Sequence, residues 1–166
     1  MHGDDLLASF RSHDRWMLEA IREAEQAAEK GEVPVGAVVV YQDRLLGRGH
    51  NQVETLRDAT AHAEILAIGA AATTLGDWRL DGASLYVTLE PCIMCSGAML
   101  LSRLGKLVYG ASDKRAGAVV STSRLFDGNP YRQSVEIVGG ILAERCTGIL
   151  QDFFRRRREP EPPGNC

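Results

Sequence analysis

Two short stretches carry the residue types that do chemistry. In "TAHAEILA", His62 and Glu64 stand two positions apart ahead of an apolar run; in "LEPCIMCSGAM", Cys92 and Cys95 stand three apart behind Pro91. Thiolate sulfur and imidazole nitrogen are zinc ligands, and a catalytic Zn²⁺ takes three protein ligands and keeps a fourth position for water. His62, Cys92 and Cys95 complete such a set. Glu64, two positions after His62, is a carboxylate that could face the same metal.

Two other uses of these residues are open to the same pattern. A C-x-x-C pair is also a redox motif, but no thioredoxin-type βαβ unit opens the chain, and Pro91 precedes the first cysteine instead of separating the two. A structural zinc would need a fourth ligand, for which His2, His13, His50, Cys146 and Cys166 are the remaining histidines and cysteines. His50 ends a predicted strand and stays a candidate. A structural site, however, has no use for a carboxylate that is not a ligand.

Spacing says where these residues must lie. On a helix, Cys92 and Cys95 share a face as i and i+3. A helix N-terminus also favours thiolate, through its free N–H groups and the positive end of the dipole. His62 and Glu64, at i and i+2, point roughly 200° apart on a regular helix. They can face one metal only at a helix mouth, and the apolar run from Ile65 places them there.

The elements around them follow from periodicity and punctuation. Asp14 to Lys30 has helical spacing in Met17, Leu18, Ile21 and Ala24, with Asp14 as N-cap and Gly31 as terminator. Val35 to Val40, a turn at Gln42-Asp43 and a return from Leu45 predict a hairpin. Ala61 to Leu75 is a helix closed by Gly76. "ASLYVTLE" is a nearly continuous apolar strand, hence central. Pro91 suits the first turn of a helix running to about Arg103. "KLVYGA" and "SVEIVGG" are strands on either side of an irregular stretch, Ser112 to Tyr131. A last helix covers Ile141 to Arg158, and residues 159–166 form a disordered tail. Alternating strands and helices predict an α/β layer fold, with residues 1–158 as one domain.

Composition is that of a globular protein: 166 residues, 45% hydrophobic, 25% charged and net −3. No apolar run reaches the ~20 residues of a membrane span, and "MHGDDLLASF" lacks a secretory pattern. Four cysteines in a chain large enough to need no staples suit a reducing compartment, so the expected location is cytoplasmic. Charge is divided unevenly. Residues 1–102 hold 8 Lys and Arg against 15 Asp and Glu, whereas residues 103–158 hold 11 against 5. A basic final third on an acidic body fits a polyanion footprint on one face.

Taken together, "HAE" and "PCIMC" match the H-x-E…P-C-x-x-C signature of the zinc-dependent cytidine/deoxycytidylate deaminase superfamily. More widely, "EVPVGAVVV", "GRGHN", "LYVTLEPCIMCSGAML", "VEIVGGILAERC" and "DFFRRRR" resemble the bacterial tRNA-specific adenosine deaminases over about Arg15 to Arg158. The resemblance implies a cytidine-deaminase-like, three-layer α/β/α sandwich with a five-stranded mixed sheet. It implies one Zn²⁺ per subunit on His62, Cys92 and Cys95, with Glu64 as the catalytic acid and base. Asn51 would contact the base, and Ala63 would offer a backbone N–H. Phe153, Phe154 and Arg155, Arg156, Arg157 and Arg158 would face RNA, although at least one Phe is expected in the core. The implied activity is conversion of adenosine to inosine at the wobble position of a tRNA anticodon, by a homodimer that binds the anticodon stem-loop. A deaminase of free guanine, cytosine or nucleosides is the alternative, for which the Arg run would have no use.

Overall fold

A computed structural model describes residues 3–159, with side chains from Ser12 onward. Ten elements follow one another: α1 (Gly3–Glu29), β1 (Gly36–Tyr41), β2 (Arg44–His50), α2 (Val53–Leu56), α3 (Ala63–Leu75), β3 (Ser84–Leu89), α4 (Ile93–Leu101), β4 (Lys106–Ala111), β5 (Glu136–Gly139) and α5 (Ala143–Arg158). The five strands form one sheet in the order β2-β1-β3-β4-β5. β1 is antiparallel to both β2 and β3, while β3, β4 and β5 run parallel. The sheet is therefore mixed, and β3 is central, as its apolar run predicts.

Alternation along the strands divides the core into two layers. Ala37, Val39, Leu85, Val87, Leu107 and Tyr109 face α3 and α4, against Ala67, Ala71, Met99 and Leu100. Val38, Val40, Tyr86 and Val108 face α1 and α5, against Trp16, Met17, Ala20, Ile21 and Cys146. Side chains of a strand point alternately to opposite faces, so each buried strand supplies both layers. The result is the expected α/β/α sandwich.

Two details bring α3 close enough to matter for the site. The hairpin turns at Gln42 and Asp43, both at positive φ (49° and 58°), the geometry whose twist matches paired strands. β2 then presents Gly47 and Gly49 to α3. A Cβ on Gly49 would stand 2.5 Å from the Ala63 carbonyl oxygen, and one on Gly47 would run into the Ala71 nitrogen. Bare backbone on β2 thus lets α3 lie directly on the sheet edge, and this fixes where its first residues emerge.

Several boundaries differ from expectation. α1 starts at Gly3, so Asp14 lies inside the helix and is no N-cap; Gly31 does follow its end at φ 74°. Pro91 is not in the first turn of α4 but precedes the capping residue Cys92. The short helix α2 went unpredicted, since four residues are too few for a period. The tail expected from residue 159 lies outside the described residues from 160 on; Glu159 is the C-cap of α5.

Candidate active site

The site lies off the carboxyl end of β3, where the N-termini of α3 and α4 converge. His62 is the N-cap of α3 and Cys92 the N-cap of α4, each with extended backbone (ψ 153° and 176°). Glu64 and Cys95 follow in the respective first turns, both buried. The helix-mouth location inferred from the His62–Glu64 spacing is therefore the observed one. Cys92 and Cys95 meet because one caps the helix and the other lies in its first turn, a variation on two helical positions sharing a face.

Distances test whether these residues fit a metal. His62 Nδ1 is 3.7 Å from Cys92 Sγ and 3.6 Å from Cys95 Sγ. Zinc bonds of about 2.05 Å to nitrogen and about 2.3 Å to sulfur, at a tetrahedral angle, require N···S separations of about 3.6 Å. These three residues form the described group of potential ligands, with ligand atoms within 4.8 Å of one another. Both thiols are free. The other candidates are engaged elsewhere: His13 Nδ1 is 3.0 Å from the Tyr86 hydroxyl, and His50 lies between Glu23 Oε2 (3.0 Å) and Lys30 Nζ (2.9 Å). Cys146 is buried among the α1 and α5 packing; His2 and Cys166 lie outside the described residues.

Among the three clustered groups Cys92 is the anion, and its hydrogen bond holds the Cys95 thiol well above the usual range. The Cys92 thiol is pushed down to about 3, first by the hydrogen bond from the Cys95 thiol and then by that from His62. His62 is raised, chiefly by its bond to Cys92. Burial is the main cause that raises the Glu64 carboxyl. Only 4% of Glu64 is exposed. A carboxyl at this depth is disfavoured as an ion by desolvation and can hold a proton as well as take one.

A cleft of about 300 Å³ opens over these groups, lined by His62, Ala63, Glu64 and Cys92 at its floor. That volume is at the small end for ligand sites and suits one inserted base. Asn51 also lines it. Its Nδ2–H donates to the Val33 carbonyl at 3.3 Å, while its Oδ1 is buried without a partner. An unpartnered buried acceptor costs stability unless a ligand supplies the donor. Ala63 is the first residue of α3, where backbone N–H groups have no helical acceptor.

The C-terminal candidates do not join this cleft. Arg155, Arg156, Arg157 and Arg158 form the last turn of α5, all exposed. Arg155 pairs with Asp152 at 2.8 Å, and the Arg157 guanidinium lies 5.1 Å from the Phe153 ring centre. Phe153 is half-buried and Phe154 is 44% exposed, so neither belongs to the core and the expectation for one of them fails. The reason is position: Phe153 flanks a groove against Glu25 and Glu29 of α1 and joins neither core layer.

Sequence reasoning missed the residues that shape the cleft walls. Glu54 lies on one wall, and Asp113, Arg115 and Ala116 on the other. Glu32, 1% exposed, accepts from the Glu54 backbone, and Glu90, 2% exposed, itself lines the cleft. A usable signal existed, since each is a lone carboxylate beside an apolar stretch, in "GEVPVGAVVV" and "LYVTLEP". Buried charge of that kind must be paired or hydrogen-bonded.

Comparison with known proteins agrees with this geometry. The model of the MafB19-like deaminase family matches residues 11–158. The chain is 49% identical over 144 residues to the tRNA-specific adenosine deaminase of Bacillus subtilis, covering 87% of this chain and 89% of that protein. A solved structure from work on A-to-I editing by tRNA:A34 deaminases superposes with a TM-score of 0.79 at 43% identity, covering 82% of this chain and 99% of the other. The guanine deaminase of Nitrosomonas europaea shares the fold at a TM-score of 0.73 and 24% identity, with 84% and 83% covered. A His-Cys-Cys triangle at helix mouths, a buried carboxylate beside it and these relatives lead to one assignment: the chain belongs to the MafB19-like deaminases and, among them, to the tRNA-specific adenosine deaminases.

Proposed function

We propose that the protein hydrolytically deaminates adenosine to inosine at the wobble position of a tRNA anticodon, with zinc on His62 Nδ1, Cys92 Sγ and Cys95 Sγ. The observation that carries this is the spacing of those atoms, 3.6–3.7 Å from nitrogen to each sulfur, with Glu64 buried next to them. When bound, zinc would supply acidity to a water, lowering its pKa from about 15.7 toward about 7. Everything else is the work of this chain.

Glu64 takes one proton from the water and delivers it to the purine ring nitrogen, then takes the proton of the new C6 hydroxyl and passes it to the departing amine, so that water and adenosine give inosine and ammonia. One carboxylate serves each transfer because burial holds it between acid and base behaviour. Asn51 offers its unpartnered Oδ1 to a donor on the base, and Ala63 its N–H to an acceptor. The narrow cleft admits a base that has left its stack and excludes duplex RNA.

The basic turn Arg155 to Arg158, with Phe153 and Phe154, supports an RNA-facing role for α5, through phosphate contacts and stacking. A homodimer and a cytoplasmic location belong to the same proposal; among the described residues no helix is long and apolar enough to cross a membrane. The free-base alternative rests on a guanine deaminase likeness at 24% identity, which speaks for the fold alone. The test is direct: incubate the purified protein with an anticodon stem-loop, free adenosine, guanine and cytidine, and follow ammonia and inosine. Release from the stem-loop alone is expected; release from guanine or cytidine alone overturns the proposal.

A further inference from the structure

Glu90 follows β3 and stands two residues before Cys92, yet its carboxylate is spent on a different part of the chain. Its Oε1 accepts the N–H groups of Val119 (3.3 Å), Val120 (2.8 Å) and Ser121 (3.0 Å). Its Oε2 accepts the Asp113 N–H at 3.0 Å and the Ser121 hydroxyl at 2.5 Å. A carboxylate has about four lone-pair sites. Five donors fill them, so Glu90 lines the cleft with no acceptor capacity left for a ligand.

All five donors come from residues 113–121, a stretch with neither helix nor strand between β4 and β5. Other bonds continue the same clamp. The Ala118 N–H donates to the Pro91 carbonyl at 2.8 Å, and Gly117 forms a bridge with Cys92. Asp113 passes the restraint outward, its Oδ1 accepting the N–H groups of Arg115 (3.0 Å) and Ala116 (3.1 Å). Gly117 leaves no room in between: a Cβ there would collide with the Glu90 carboxylate, 2.5 Å from Oε2. The residues held this way, Asp113, Arg115 and Ala116, are the cleft wall opposite Glu54.

We propose that Glu90 is the positioning residue for this wall: its carboxylate fixes segment 113–121 in the shape that presents Asp113, Arg115 and Ala116 to the substrate, without touching the substrate itself. This rests on the deaminase function proposed above. An irregular segment held by a buried anion is ordered before binding, so its ordering does not weaken the complex. Removing the anchor removes binding that ground state and transition state share, which raises KM with little change in kcat.

Glu90→Gln tests it. The amide oxygen still accepts from residues 119–121, but an NH₂ group now faces the Asp113 N–H. The expected result is a KM for the anticodon stem-loop higher by on the order of tenfold, the scale of a lost charge-assisted bond. Turnover stays within about threefold and zinc content at the wild-type level. Trypsin cleavage after Lys114 or Arg115 speeds up on the same order, a readout independent of catalysis. Gly117→Ala, which drives a methyl into the same carboxylate from the other side, gives the same split.

Unchanged KM together with an unchanged trypsin rate overturns the proposal. So does a fall in kcat at constant KM, which would put Glu90 into the reaction itself, or a loss of zinc, which would tie it to the metal. Ser121→Ala removes one of the five donors and carries the same test at smaller amplitude should Glu90→Gln not fold. Wild-type protein inert on the stem-loop defeats the proposed function, while the trypsin rates still decide the clamp.

Discussion

Glu64→Gln separates chemistry from structure more sharply than any other single change in the site. Glu and Gln are nearly isosteric, the side chain is 4% exposed, and the metal triangle of His62, Cys92 and Cys95 does not include it. Zinc content and thermal stability should therefore match wild type. General acid–base catalysis is worth on the order of 10²–10⁴-fold, which at about 1.36 kcal/mol per decade is about 2.7–5.4 kcal/mol of barrier. In the proposed reaction Glu64 serves every proton transfer, and at this burial no bulk water can replace it, so the upper half of that range is expected. Glu64→Asp keeps the ionisable group but withdraws it by one carbon–carbon bond, about 1.5 Å. Misplacement of about 1 Å costs on the order of 10²-fold, so Asp should fall between wild type and Gln. The assay is single-turnover inosine formation on an anticodon stem-loop, with zinc quantified on the same samples. A fully zinc-loaded Glu64→Gln protein turning over within about fivefold of wild type would refute the assigned role.

Metal removal should be complete and reversible: about one zinc per chain is expected, chelation should abolish deamination, and added zinc should restore it. Cys95→Ser should lose the metal by elemental analysis. Gly49→Ala forces a methyl to 2.5 Å from the Ala63 carbonyl oxygen and should lower stability by about 1–3 kcal/mol in denaturant titrations, with α3 pushed off β2. Glu32 gives a pH signature. Burial alone would raise its carboxyl, but bonds from Thr55 and Glu54 hold it below the ordinary 4.5. A depressed folded value means the stabilisation is full above the unfolded pKa and fades as pH falls through the folded one. Glu32→Gln should accordingly lower Tm at neutral pH and converge with wild type in acid; a constant Tm gap down to about pH 2 would contradict it. Replacing Arg155, Arg156, Arg157 and Arg158 with Gln should flatten the log K against log salt slope for the stem-loop by roughly 0.7–0.9 for each phosphate no longer neutralised. Identical slopes would remove RNA from α5.

What could be read before any coordinates was whatever is local. Gln42-Asp43 announces the turn, Gly76 ends α3, and the apolar run of β3 marks a central strand, because each depends on neighbours within a few residues. The clustering of His62, Cys92 and Cys95 was legible for the same reason. His62 and Glu64, like Cys92 and Cys95, belong to one helix mouth each, and their chemistry demands a common centre, so two local patterns imply one tertiary contact. Asp14 misled because a good capping residue says nothing about whether helix already precedes it; α1 runs back to Gly3. The Phe153–Phe154 pair misled because apolar character predicts burial only where another layer covers the helix, and Phe153 flanks an open groove instead.

The cleft walls were illegible for a deeper reason. Neither wall is a regular element of any length: one is the four-residue α2 and the other the irregular segment 113–121. No periodicity records them. What holds each is a carboxylate far away in sequence. Glu32 accepts the Thr55 N–H at 2.6 Å, its hydroxyl at 2.7 Å and the Glu54 N–H at 3.2 Å; Glu90 does the same for residues 113–121. Backbone N–H groups in a segment without secondary structure need acceptors wherever water is excluded. A buried carboxylate needs donors just as strongly. Each need answers the other, which is why a lone Glu in an apolar run and a distant stretch without pattern can be two halves of one device. Segments that border a cleft and still stay ordered cannot rely on water for those bonds where it is excluded. The triangle of potential ligands thus sits on helix mouths set by the sheet, while two buried anions give the irregular walls a fixed shape around it.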